Sequence, residues 1–196
     1  MLPSPDDEID EDWFDFNHEA LTLELMRCNQ LTTTPASLSI FYTDQYEEMD
    51  VKKAAMAPFY IEKNYKGEDN EKEFIKFLEE SKSISWWYKN GDAGSEFFSI
   101  SYFNPDENKE KLFYPDWIFK AKDKIWIVDT KKGATAELAD TVYKAEALQE
   151  WLRGKKGFSG GIIVQDGPNG WMMNSNTKYS YSPSLKGWTA LQDLLN

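Results

Sequence analysis

FYPDWIFKAKDKIWIVDTKKG, residues 113–133, is the stretch that decides the fold. It reads as two strands, 112–120 and 124–131, separated by a break at Lys122-Asp123. The run Ile125-Trp126-Ile127-Val128 is apolar at every position, and a strand of that kind needs cover on both faces of its sheet. Helical patterns on either side can supply it. Phe74, Ile75, Phe77 and Leu78 predict an amphipathic helix over 70–81, with Asp69 or Asn70 as N-cap and a capping-box spacing from Asn70 to Glu73. Leu138, Val142, Ala145, Leu148 and Leu152 predict a second helix over about 136–153, closed by Gly154.

Working outward, residues 83–89 (SISWWYK) are rich in strand formers, and Asn90-Gly91 reads as a turn to a returning strand at 96–103. A polar loop follows at 104–111. Further strands are expected at 158–165 and 171–174, and a final helix at 184–195. The order helix, three strands, helix, strand predicts a mixed central sheet in a three-layer α/β sandwich. Upstream, an acidic lead-in, a helix over about 17–27 and an ambiguous segment ending in an acidic helical patch suggest an N-terminal extension, 1–57, ahead of the main domain, 58–196.

The spacing within 113–131 becomes geometry without further assumption. A two-residue turn at Lys122-Asp123 pairs Ala121 with Lys124 and, counting outward, Asp116 with Asp129. Directly opposed residues of an antiparallel pair have Cβ atoms roughly 4.5–5.5 Å apart. Lys131 returns to the face of Asp129, because strand side chains alternate, while Thr130 points to the other face and offers only its carbonyl. Two opposed carboxylates on an apolar hairpin repel, and a divalent cation is the natural compensator. Asp116, Asp129 and the Thr130 carbonyl are therefore candidate metal ligands, and Lys131 a candidate to orient a nucleophile or stabilise a transition state. Pro105-Asp106 repeats the dipeptide without flanking strands and is assigned to a loop.

Composition narrows the chemistry. With Cys28 and His18 as the sole cysteine and histidine, neither a disulfide, a zinc cluster nor a Ser-His-Asp arrangement is expected. At 196 residues the chain can bury roughly 70% of its unfolded surface, and 8 Trp, 10 Tyr and 12 Phe give it a heavy aromatic load to bury. The net charge of −12 weighs against broad attraction to nucleic acid. More than half of it comes from Asp6, Asp7, Glu8, Asp10, Glu11, Asp12 and Asp15. No run of about 18 apolar residues occurs and the N-terminus is acidic, so a cytoplasmic protein with no membrane association is expected.

Residues 113–133 resemble the nuclease hairpin of the PD-(D/E)xK superfamily, most closely the C-terminal endonuclease domain of type III restriction enzymes and related DEAD/DEAH-box helicases. NEKEFIKFLEESKSISWWYKN, residues 70–90, is similar to that family's first helix and strand, and the resemblance covers about 58–165. It implies a restriction-endonuclease-like fold with an αβββαβ core and a Mg²⁺-dependent DNA endonuclease in which Mn²⁺ substitutes. It further implies metal binding by Asp116 and Asp129, a catalytic Lys131, and an auxiliary acid at Glu71. The second acid is Asp here where close relatives usually carry Glu, which shortens its reach. A helicase or ATPase motor would be a partner in the same or an associated polypeptide; no GxxxxGK loop occurs in the sequence.

Further positions carry two readings. Lys132, Lys144 and Arg153 are candidate nucleic-acid contacts, against solvated lysines and a helix C-terminus that favours cations. Glu71 also suits the first turn of a helix. Gln149 is expected to face the sheet and find a backbone partner. Trp86 and Trp87 suit base stacking or a core. The competing function is a catalytically inactive α/β module binding a protein partner or structured nucleic acid, and a nuclease acting on RNA or DNA ends would share the site.

Overall fold

The computed structural model describes residues 46–56, 58–62, 68–95, 97–167 and 170–196. The helix expected at 17–27 lies outside them. The chain runs through β1 (Tyr46–Met49), β2 (Phe59–Glu62), α1 (Glu68–Glu80), β3 (Ile84–Lys89), β4 (Ile100–Asn104), β5 (Lys109–Phe113), β6 (Trp117–Ala121) and β7 (Lys124–Lys131). It continues through α2 (Ala134–Glu137), α3 (Ala139–Leu152), β8 (Phe158–Asp166), β9 (Gly170–Asn174), β10 (Thr189–Ala190) and α4 (Leu191–Leu195). Six strands form one mixed sheet in the order β10-β9-β8-β7-β6-β3, in which only the β7–β8 pair is parallel. The chain is thus a mixed α/β protein, as the apolar β7 requires.

Alternation along β7 sorts the two faces. Trp126 and Val128 enter a cluster with Phe74, Ile75 and Leu78 of α1, whereas Ile127 packs beneath Leu148 of α3. On β8, Ile163 joins the α1 side and Ile162 and Val164 the side of Ala145. Each of the fully buried large side chains stabilises by about 1.5–3 kcal/mol relative to exposure. Gly160 and Gly161 let β8 sit tightly between its neighbours: a Cβ there would come within 1.9 Å of the Ile127 carbonyl oxygen and 2.1 Å of that of Asn174. The Gln149 amide donates to the Gly160 carbonyl (3.0 Å), so its expected backbone partner exists.

Several elements differ from expectation, each for an identifiable reason. α1 starts at Glu68, which puts Asn70 inside the first turn rather than at the cap. The strand expected over 112–120 is two strands, broken at Tyr114-Pro115-Asp116, because Pro115 has no N–H to give a ladder. The partner of β3 is β6, not β4. Asn90 does not make a tight hairpin turn: its buried amide donates to Phe98 O (2.8 Å) and Pro115 O (3.0 Å) and accepts from Phe98 N (3.1 Å). β4 and β5 form their own two-stranded ladder, and residues 105–108, with the spare Pro105-Asp106, make its turn.

The helix expected over 136–153 is interrupted at Leu138, which is extended and 55% exposed. Thr141 accounts for the restart, its N–H reaching Leu138 O (3.0 Å) and its hydroxyl Thr135 O (2.8 Å). Gly154 closes α3 at φ +79°, a conformation glycine adopts readily. Of the helix expected over 184–195 only Leu191–Leu195 forms, because residues 189–190 pair with β9 instead. The acidic patch expected to be helical is in part strand β1.

The boundary expected at 57/58 falls between β1 and β2, which pair along four residues each. Residues 53–55 also hydrogen-bond to β3, Ala55 N–H to Trp87 O (2.7 Å) and Trp87 N–H to Lys53 O (2.9 Å). Glu79 of α1 fastens this segment. It accepts from the amides of Lys52 (2.9 Å) and Lys53 (3.0 Å) and from the Trp87 indole (2.6 Å).

Candidate active site

The hairpin β6–β7 has the expected register, Ala121 opposite Lys124 and Trp117 opposite Val128. The ladder stops there, one pair short of Asp116 and Asp129. Pro115 and Asp116 lie just ahead of β6, and Asp116 is held from two sides. Its carbonyl accepts from Asn90 N–H (2.8 Å), and its carboxyl turns to Thr130, where Oδ2 accepts from the amide (2.8 Å) and from the hydroxyl (2.5 Å). The Thr130 side chain therefore serves Asp116 rather than facing away, because Asp116 lies outside the ladder and reaches around the strand end. Its carbonyl, the expected metal ligand, is 3.5 Å from Lys131 Nζ.

Asp129 is a buried carboxylate on the side of α3, with a side chain 3% exposed. Lys131 forms an ion pair with its Oδ2. Burial, and next the negative charge of Asp116, push the Asp129 carboxyl up to about 7 against the opposing pull of Lys131. Asp116 moves the other way: burial would raise it, but Lys89, Lys131 and the two Thr130 hydrogen bonds hold it below the ordinary carboxylate value. For Lys131, burial is outweighed by Asp129 and Asp116, which keep the ammonium charged.

Lys89 belongs to the same cluster and is absent from the expectations drawn from sequence. Its ammonium stands 3.2 Å from Glu71 Oε1 and 3.4 Å from Asp116 Oδ1, and 4.6 Å from the centre of the Trp117 ring. Strand periodicity gave only part of the signal, that Lys89 shares a face with Trp87; its pairing with Trp117, the residue after Asp116, needed β6 to lie beside β3. Glu71 is thus brought to the site, but through Lys89. Lys144 lies on α3 in an ion pair with Asp140 (2.8 Å), whose other oxygen accepts from Tyr102 (2.6 Å) and Asn104 (3.2 Å). Its charge reaches Asp129.

Lys132 is exposed just beyond β7. Arg153 stands at the far end of α3, paired with Glu150 and remote from this cluster. Trp86 and Trp87 are both core.

Among the described residues, no group of three or more His, Cys, Asp or Glu side chains is gathered so as to hold a metal ion. Glu71 and Asp116 meet across the Lys89 ammonium, which pairs with both. Two carboxylates nevertheless present hard oxygens, each paired with one ammonium, Asp129 Oδ2 with Lys131 and Asp116 Oδ1 with Lys89. Such a donor set fits a small divalent cation that takes one or two carboxylates and completes its shell with water or phosphate.

Fold and site together define a mixed α/β domain with a semi-buried carboxylate and lysine cluster at the end of its central hairpin. Residues 60–175, more than half of the chain, match the model of the YagJ family, and the chain belongs to that family. No curated protein and no solved structure matches it. Among the described residues, no helix is long and apolar enough to cross a membrane.

Proposed function

We propose that this chain is a Mg²⁺-dependent DNA endonuclease domain with a restriction-endonuclease-like αβββαβ core, hydrolysing phosphodiester bonds. The order α1–β3–β6–β7–α3–β8, with β4–β5 as an insertion, is consistent with that core. The observation that carries the reading is the Asp129 carboxyl: it is buried, feels the charge of a second carboxylate, Asp116, and has the Lys131 ammonium as its ion-pair partner. A hairpin with only a structural purpose gains little from burying one acid within reach of the charge of another.

In this reading Asp116 and Asp129 hold the ion, and Thr130 fixes the Asp116 carboxyl in place. The ion, when bound, supplies an acidified water and positive charge for the phosphate. Lys131 orients the attacking water or stabilises charge on the phosphoryl oxygens. Lys144 and the exposed Lys132 contact backbone phosphates near the site. Arg153, at the other end of α3, contacts DNA only along a longer footprint. A helicase or ATPase motor in the same or an associated polypeptide would add the grip that a net charge of −12 does not provide.

Cleavage of supercoiled plasmid in Mg²⁺ or Mn²⁺ tests the assignment. Lys131→Ala and Asp129→Ala should each lose at least about 100-fold in rate, the scale of one electrostatic catalytic group. Equal rates in wild type and variants would remove the catalytic assignment.

A specific observation favours a second reading, a catalytically inactive module that binds a protein partner or structured nucleic acid. Both oxygens of Asp116 already have partners within the chain, Lys89 and Thr130. Calorimetry with Mg²⁺ discriminates, since this module would show neither heat nor thermal stabilisation.

A further inference from the structure

Lys89 is a cation placed where a metal-dependent site needs its metal. Asp116 has two oxygens. Oδ2 is saturated by the Thr130 amide and hydroxyl, and Oδ1 meets Lys89 Nζ at 3.4 Å. The Glu71 carboxylate is 3.2 Å from the same nitrogen. The oxygen of Asp116 that faces away from Thr130, and with it the auxiliary acid on α1, are therefore both committed to one ammonium. An ammonium and a divalent cation cannot share those oxygens at bonding distance, because the repulsion between them would be felt at close range across a partly buried site.

We propose that Lys89 is an internal counter-ion occupying the cation position between Glu71 and Asp116, so that a divalent ion gains Asp116 Oδ1 only by displacing it. The inference rests on the metal-dependent reading above and deepens it: the ligand is a divalent cation, and the chain carries its own competitor. Displacement is geometrically open. The Lys89 side chain is 24% exposed, ends the strand β3, and has a four-carbon stem that can swing its head to solvent. The ring of Trp117 beneath the ammonium gives it a resting surface but no hydrogen bond. Lys131 differs in this respect, since its ion pair is with Asp129.

The test is calorimetric titration of the full chain with Mn²⁺, comparing wild type with Lys89→Met, which keeps the apolar stem over Trp117, and Lys89→Gln, which keeps a neutral donor. Thermal unfolding with and without Mn²⁺ accompanies it. Both variants are expected to bind Mn²⁺ at least tenfold more tightly than wild type, and to show a larger rise in melting temperature with the ion, while Lys89→Arg binds no more tightly than wild type. Variants that bind Mn²⁺ no better than a wild type that does bind it would overturn this inference and leave the metal-dependent reading standing. Absence of binding in every protein would overturn both. Binding by the neutral variants alone would support the competitor role and mark the natural site as silenced by Lys89.

Discussion

Asp129→Asn distinguishes a buried acid that holds its proton from an ordinary ionised half of the Asp129–Lys131 pair. The substitution is nearly isosteric, so packing against the α3 side is preserved, and it removes one ionisation. With its carboxyl pushed to about 7, Asp129 keeps a proton in the folded protein that the unfolded chain has already released above pH 4. Folding therefore takes up a proton across the window from about pH 4 to about pH 7, and stability contributed by this group falls as pH rises through it, levelling off above. A displacement of roughly three pKa units corresponds to a ceiling on the order of 4 kcal/mol. That ceiling already includes the pull of Lys131, so relative to wild type the variant should be about 2–3 kcal/mol better off at pH 8.5 than at pH 5. At about 2–4 °C per kcal/mol for a domain of this size, the melting temperature of the variant relative to wild type should be roughly 4–12 °C higher at pH 8.5 than at pH 5. Thermal unfolding followed by circular dichroism at the two pH values, with a chelator present throughout, measures it. A variant that is destabilised by the same amount at both pH values would refute the reasoning, because Asp129 would then be an ordinary ionised partner of Lys131.

Two further outcomes follow from the packing. Phe74→Ala should cost about 3–5 kcal/mol in denaturant unfolding, since the ring is fully buried among Trp117, Phe119 and Trp171 with centroids 4.8–6.5 Å away; a loss below about 1 kcal/mol would mean that α1 is not seated on this face. Asn90→Ala should cost about 2–4 kcal/mol by leaving the Phe98 amide and the Phe98 and Pro115 carbonyls without their partner. If Asn90 positions the Asp116 elbow, the same variant should also lose plasmid cleavage out of proportion to its stability when assayed well below its melting temperature.

Legibility in the sequence followed the range of the interactions. The β6–β7 register was readable because a two-residue turn and period-two alternation are local, and the position of Lys131 beside Asp129 came with it. Layers on both faces were readable from Ile125–Val128, since a strand apolar on both sides leaves no other solution. The break at Leu138 was not, because the apolar spacing of 136–153 is the same whether or not Thr141 restarts the helix.

By itself, the order of residues determined that a mixed sheet is clad by helices and that Asp116, Asp129 and Lys131 gather near one hairpin end, for strand alternation and chain adjacency act over a few residues. Only the tertiary structure decided that β6 rather than β4 lies beside β3, because that choice turns on a buried Asn90 amide binding chain 8 and 25 residues away. With β6 beside β3 comes Lys89, opposite Trp117 and between Glu71 and Asp116. Contacts between segments so distant in sequence depend on the whole core being assembled, and no local pattern encodes them.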